Sequence, residues 1–297
     1  MHCLNTELGA AVQQENLLRH ITALSTRIGQ RSFLQYPKLE MAAEYIKGEL
    51  TGYGYVVREQ VYSAENQTYR NIIAARDGRG NKDKVIIVCS HYDSVSGSPG
   101  ADDNASGVAG LLELARLISQ GYPGKTVEFI ATVNEEPPWF TTQGMGSLVY
   151  AKEARGNKKD IEAVLCLESI GFYSEGKDSQ GYPLFLKPFY PDKGNFIAVV
   201  SNLASAGLLK KVVRGFRKAS DFPVEYLIAP AFFTPAISLS DHWSFWKFGY
   251  KAVMITDTAF YRNPYYHTPQ DTAETIDYRS MSKVIKGLYD VLFNLAR

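Results

Sequence analysis

The chain has 297 residues, 45% of them hydrophobic, 21% charged and 12% aromatic, with a formal net charge of +1. That is globular composition, with length for one large core or two modest ones. Near-neutral charge, without a basic stripe or acidic tail, argues against nucleic acid and membrane as partners, and the longest apolar runs are too short to span a bilayer.

In chain order, the first eighteen residues lack the basic start and apolar stretch of a signal peptide. Residues 15–26 place Leu17, Leu18, Ile21 and Leu24 on one helical face. Residues 38–50 do the same with Leu39, Ala42, Ala43, Ile46 and Leu50, and "GYG" at 52–54 ends that helix. Two β-rich runs follow, "YVVREQVYS" (55–63) and "RNIIAA" (70–75), joined by the polar "AENQT" (64–68). They read as an antiparallel hairpin at a sheet edge.

Further strands are expected at "KVIIVCS" (84–90), "TVEFIATV" (126–133), "AVLCLES" (163–169) and "KAVMITD" (251–257). These are apolar nearly throughout, as in strands covered on both faces. A third helix lies between the first two of them, on Val108, Leu111, Leu112, Ala115 and Ile118, and a last one carries Met281, Val284, Ile285, Leu288, Val291, Leu292 and Leu295. Strands alternating with helices imply an α/β fold, a three-layer sandwich with a mixed, mostly parallel central sheet and helices on both faces. With no repeat or linker, residues 1–297 read as a single domain. The irregular stretch 174–240, with a helix near 203–218, is expected to be an insertion over one sheet face, a substrate wall or lid. Of the three cysteines, Cys89 and Cys166 lie in strand-like runs and read as buried small hydrophobes.

Chemistry collects after the central strands. "HYDSVSGSPGADDNASG" (91–107) follows the first, "NEE" (134–136) the second, Glu168 ends the third, and His267 stands ten residues beyond the fourth in "NPYYHTPQDT". Loops at the carboxyl ends of parallel strands face one crevice. Two histidines and four or five carboxylates converge there, and so many acids would repel one another unless a divalent cation were bound. A mixed His and carboxylate set suits zinc, with manganese or cobalt as substitutes. The ligand excess points to two ions sharing a bridging carboxylate, about 3.5–4 Å apart.

These four motifs, in this order, resemble the zinc-dependent aminopeptidase family with two co-catalytic metals. That family includes bacterial leucyl aminopeptidases, glutamate carboxypeptidases and animal glutaminyl cyclases. The resemblance implies that His91 binds one zinc together with Glu168, that Glu136 and His267 bind the other, and that Asp103 bridges both. It implies Glu135 as the general base, Asp93 as acceptor of a hydrogen bond from the second ring nitrogen of His91, and Tyr266 as the group polarising the scissile carbonyl. A non-proline cis peptide is expected at Asp103–Asn104. One departure stands out: the acid at 168 is aspartate in the best-known members, where it also lies near the substrate's free amine, and glutamate here.

Plainer roles are expected for some of the same residues. One acid of "GADDN" should cap the following helix while the other binds metal, and Asp241 should cap a helix or support the site. His2 and His20 have no acidic company and receive no role. The prolines of "VNEEPPWF" (133–140) restrict Glu136 to extended conformations and are expected to fix the turn that separates the two glutamates. Of the aromatics flanking the motifs, among them Trp139, Phe172, Phe232, Phe233 and Tyr265, half are expected in the core. The others should line a pocket for a large hydrophobic N-terminal side chain. The leading function is a metallo-aminopeptidase acting on peptides. The alternatives are a single-zinc glutaminyl cyclase and a catalytically silent binding domain of the same fold. Carboxypeptidase or dipeptidase action would need a cation for the substrate carboxylate, with Lys187, Lys193 and Arg262 as candidates.

Overall fold

The side chains of strand β3 (Asn81–His91) alternate between two cores: Ile86 and Val88 pack on one face, Val85, Ile87 and Cys89 on the other. That period of two is what a strand covered on both sides requires. The computed structural model describes residues 12–230 and 235–297; His2, Cys3, Phe232 and Phe233 fall outside them. The other strands are β1 (Val57–Ala64), β2 (Gln67–Arg76), β4 (Lys125–Thr132), β5 (Asp160–Glu168), β6 (Ile197–Ser201), β7 (Val224–Ile228) and β8 (Ala252–Thr256). They form one sheet in the order β1-β2-β4-β3-β5-β8-β6-β7. The central run β4-β3-β5-β8 is parallel throughout, whereas β1 and β2, β2 and β4, and β6 and β8 pair antiparallel.

Helices cover both faces. Helices α1 (Gln14–Ile21), α2 (Tyr36–Gly52), α3 (Gly107–Ser119), α5 (Ala206–Ala219) and α7 (Tyr278–Leu295) bury their apolar stripes in the larger core. Helices α4 (Gly146–Gly156) and α6 (His242–Lys247) lie on the other face, through Tyr150, Ala151, Ala154 and Phe245. Among the described residues no helix is long and apolar enough to cross a membrane. Cys89 and Cys166 are free and buried.

The expected edge hairpin is present, with β1 and β2 paired from Val57↔Ala74 to Ala64↔Gln67. Its turn is tighter than the polar stretch suggested: Glu65 and Asn66 alone close it, both at positive φ (48° and 63°), as two-residue hairpins of matching twist need. The first helix is shorter than its apolar stripe. It leaves α geometry after Ile21 and continues as a wide π turn over Thr22–Ile28.

Residues 174–240 require a correction. They are not simply an insertion over one face, because β6 and β7 within them complete the sheet as far as its edge and α5 packs in the larger core. Both the sheet strands, through Ala198, Val200 and Glu225, and the flanking segments, through residues such as Tyr182, Leu186, Ile237 and Leu239, border the crevice.

Candidate metal centre

His91 is the last residue of β3 and Glu168 the last of β5, while Glu135 and Glu136 follow β4 within a few residues. Asp103 lies in the turn before α3, and His267 in the loop after β8. The parallel run thus delivers its carboxyl ends to one crevice, as the sequence led us to expect.

Two groups of potential ligands result: His91, Asp103 and Glu168, and Asp103, Glu136 and His267. Asp103 belongs to both. Its Oδ1 lies 3.4 Å from His91 Nε2 and its Oδ2 lies 3.0 Å from His267 Nε2. Glu168 Oε2 is 3.2 Å from His91 Nε2, and Glu136 Oε2 is 3.3 Å from His267 Nε2. Ligands about 2.0–2.1 Å from a tetrahedral zinc stand about 3.3 Å from one another, so these separations fit the edges of two coordination tetrahedra. His91 Nε2 and both Asp103 oxygens are buried without a hydrogen-bond partner, which native proteins rarely tolerate unless an ion or water completes the contact. The donor set fits zinc.

The electrostatics agree. Burial opposes the charge on His91, but Glu168 and Glu135 beside it hold its pKa well above the usual imidazole value. Burial likewise works against His267, yet Asp103 and Glu136 push it up to about 10. Burial, with Asp103 close by, pushes Glu136 up to about 8, and burial raises Glu135 and Glu168 as well. Asp103 is held low, in spite of burial, by the two histidines. Carboxylates that resist ionisation around histidines driven to carry charge mark a place short of positive charge.

Glu135 belongs to neither ligand group. Its Oε2 is 3.8 Å from His91 Nε2, and the residue is 8% exposed. The two adjacent glutamates reach one site because Asn134 takes a left-handed φ of 61° and breaks the strand's alternation. Pro137–Pro138 is a cis bond in the turn that follows, and Asp103–Asn104 is cis as expected.

Several supporting contacts differ from expectation. The Asp93 carboxylate does not mainly serve His91, whose Nδ1 is 3.2 Å from the Asp93 carbonyl oxygen and 3.5 Å from Oδ1. Instead Asp93 Oδ1 and Oδ2 accept the backbone N–H groups of Glu135 (3.2 Å) and Glu136 (3.0 Å). Neither acid of "GADDN" caps α3. Asp102 accepts from the Gly171 N–H and from Asn263 Nδ2, while Asn104 Oδ1 accepts from the Gly107 N–H. A Cβ on Gly107 would stand 2.3 Å from that Oδ1 and 2.5 Å from Ser90 Oγ, so only glycine fits there. Asp241 begins α6 but caps nothing; its Oδ2 accepts from Thr132 Oγ1 at 2.6 Å.

Other contributors draw no role from the sequence alone, although Asp271 stands in the His267 motif. Asp271, the acid of "TPQDT", accepts the backbone N–H groups of Asp102 and Asp103. Ser240 Oγ donates to Glu168 Oε2 at 2.6 Å, so the longer side chain at 168 still reaches the cluster and is held there. Arg31 is fully buried and donates to the carbonyl oxygens of Leu24, Gly29, Tyr92, Pro99 and Gly100, which binds the loop between His91 and Asp103 to the end of the first helical segment.

Tyr266 stacks on His267, ring centroids 3.9 Å apart, and its hydroxyl is pushed up by burial and by Asp103. Together with Glu168 it also lines a largely apolar pocket beside the centre, walled by Tyr182, Phe260, Ile237 and Leu239. Trp139 packs instead against Tyr69 and Phe33 in the core. The three candidate cations for a substrate carboxylate do not converge on the centre. Arg262 is buried and donates to Gln180 Oε1 and the Phe196 carbonyl, Lys193 pairs with Glu175 at 4.0 Å, and Lys187 lies in a short 3₁₀ turn.

Known proteins resemble this chain in sequence and fold. The chain is 38% identical over 289 residues to the uncharacterized protein YfbL of Escherichia coli (strain K12), covering 94% of this chain and 88% of that one. It is 29% identical over 247 residues to leucine aminopeptidase 1 of Blastomyces gilchristii, covering 76% of this chain but only 56% of that longer protein. BSAP, a zinc aminopeptidase from Bacillus subtilis, has the same fold, with a TM-score of 0.79 at 16% identity over 97% of this chain and 96% of that one. The model of peptidase family M28 matches residues 71–292, three quarters of the chain and every residue of the two clusters, and the chain belongs to that family.

Proposed function

We propose that the protein is a two-zinc aminopeptidase, residues 1–297 forming one catalytic unit and parts of 174–240 supplying its substrate wall. The observation that carries this reading is the pair of complete three-ligand clusters sharing Asp103, with Glu135 beside them and bound by neither. His91, Asp103 and Glu168 would hold one ion and Asp103, Glu136 and His267 the other. Zinc bound there supplies Lewis acidity that acidifies water and polarises the scissile carbonyl; manganese and cobalt suit the same donors.

The chain's own groups do the rest. Glu135 accepts the proton of the attacking water and hands it to the leaving amine, a task suited to a carboxyl whose pKa burial has raised. Asp93 holds both glutamates in place by their backbone amides. Tyr266 stands over His267 with its hydroxyl available to the carbonyl oxygen. Glu168 faces both the centre and the apolar pocket, a position suited to the free α-amine of a peptide whose first side chain enters that pocket.

Glu135→Gln tests this. Removing a general base costs about 10²–10⁴-fold in turnover, and zinc content should stay at the wild-type level. Retention of more than a few percent of activity would refute the role of Glu135. A glutaminyl cyclase works with a single zinc, which the second complete cluster disfavours. A peptide with N-terminal glutamine should therefore be shortened by one residue; release of ammonia without shortening would replace the aminopeptidase reading with cyclisation.

A further inference from the structure

The strand registers place a second carboxylate on the row that carries Glu168. Glu168 pairs with Thr256 across β5 and β8, Thr256 with Ala198 across β8 and β6, and Ala198 with Glu225 across β6 and β7. Directly paired residues project to the same face of a sheet, so these four side chains form one line. Strand neighbours lie about 4.8 Å apart, and three such steps separate the ends of the line by about 14 Å.

Between the two glutamates stand only a threonine and an alanine, and their small side chains leave a trough. Both ends of the row line the pocket beside the metal centre. The space inside is about 860 Å³ including its open mouth, and Ala198, Val200, Leu227 and Met254 make much of its floor apolar. Glu225 is the acid at the far end. Among the described residues it makes no hydrogen bond and no ion pair within 4 Å; the cation that acts on it, Arg217, lies over the ring of Tyr226, whose side chain projects to the opposite face. Burial holds the Glu225 carboxyl above its ordinary pKa, so a cation delivered to it would relieve an existing cost.

We propose that the trough selects peptides with lysine or arginine at the N-terminus, the apolar stem lying over Ala198 and Thr256 and the terminal cation meeting Glu225. This rests on the aminopeptidase reading, with the α-amine at Glu168. The lengths agree: two hydrogen bonds of about 2.9 Å plus an extended basic residue of about 7–8 Å from α-nitrogen to terminal nitrogen add to about 13–14 Å. A leucine side chain stops well short of Glu225. The expectation of a large hydrophobic first residue is thereby narrowed to an apolar stem with a charged end.

The test compares lysyl, arginyl and norleucyl arylamides with the zinc-loaded protein, norleucine having the stem without the ammonium. The expected ratio of kcat/KM for lysine over norleucine is about tenfold or more, because a site built for a charged donor rejects the analogue lacking it. In Glu225→Gln that ratio should fall by about tenfold. A wild-type preference for norleucine, or a ratio untouched by the substitution, overturns the proposal. Calorimetric binding of lysine hydroxamate and norleucine hydroxamate gives a readout independent of turnover. Selective binding of the lysine compound that Glu225→Gln abolishes supports the trough even if no arylamide is cleaved, in which case the peptidase reading alone fails. Equal affinities, or no binding of either hydroxamate, overturn the trough assignment, whereas cleavage of norleucyl arylamide in preference to lysyl keeps the peptidase reading.

Discussion

Glu135 and Glu136 are neighbours, yet only Glu136 joins a candidate ligand group, and what separates them is backbone. The left-handed Asn134 turns the chain out of β4, and the two carboxylate oxygens of Asp93 each take one of the next two amides. Asp93→Asn replaces one of those acceptors with a donor facing an N–H group. The expected result is a loss of about 10–100-fold in zinc affinity and turnover, as for other groups that orient ligands. Competition with a chelating dye and steady-state kinetics measure the two quantities, and an Asn variant equal to wild type in both would show that the clamp is dispensable. The carboxylate at 93 was legible in "HYD", but its partners were not, because spacing within one loop does not reveal which amides of another loop arrive beside it. His20 illustrates the opposite case, a histidine to which the sequence assigns no role but which has a defined place near Glu49. It shares hydrogen bonds with the hydroxyls of Tyr45 (2.8 Å) and Tyr53 (3.2 Å), and burial, aided by the charge of Arg19, lowers its pKa to about 3. Burial lowers His242 to about 4. Both are neutral in the fold, while the unfolded chain takes up their protons near pH 6.5. Their contribution to stability is therefore whole above pH 6.5 and is lost as pH falls toward 4, by about 1 kcal/mol per unit for each. His20→Gln should flatten the fall of the melting temperature between pH 6.5 and 4, and an unchanged slope would mean that His20 is charged in the fold.

Elements were legible where their pattern was strong. The central strands and the helices α2, α3 and α7 declared themselves through continuous apolar runs or clear stripes, and the site motifs were legible because each follows such a strand. Helix α4 and strands β6 and β7 were not. Helix α4 begins "GSLV" directly after a turn and buries only part of one face, while β6 and β7 have five residues each, too few to establish a period. Arg31 shows why connections between elements stay hidden. Its five hydrogen bonds go to backbone carbonyls, some of them nearly seventy residues away, and carbonyls carry no mark of residue type. Arg31→Met should destabilise the protein by about 3 kcal/mol or more, since buried acceptors left without donors each cost about 1–3 kcal/mol. Chemical denaturation measures the loss. Hydrogen exchange should show the excess opening in residues 92–103, and a variant as stable as wild type would mean that water replaces the guanidinium at no cost.

At the scale of the whole molecule the proposed metal centre would also be a cross-link. Its candidate ligands come from the ends of β3 and β5, the turns after β4 and before α3, and the loop after β8, regions otherwise joined through the sheet. Ions that bind the folded chain and not the unfolded one stabilise it by mass action, about 4 kcal/mol at a thousandfold excess over Kd. In a chain of this size each kcal/mol moves the melting point by about 2–4 °C. Prolonged chelation should therefore lower the melting temperature by roughly 8–16 °C, and added zinc should restore it. Two clusters sharing Asp103 also make a prediction about number. Wild-type protein should hold two equivalents of zinc, whereas His267→Ala, which removes a ligand from one cluster only, should hold one and show a smaller shift on chelation. Asp103→Ala should lose both, because each cluster keeps only two of its three ligands. These variants separate a shared site from two independent ones. If His267→Ala and Asp103→Ala lost the same amount of metal, or if the melting point ignored the chelator, the bridging arrangement would be wrong, and the buried acids would need another source of positive charge.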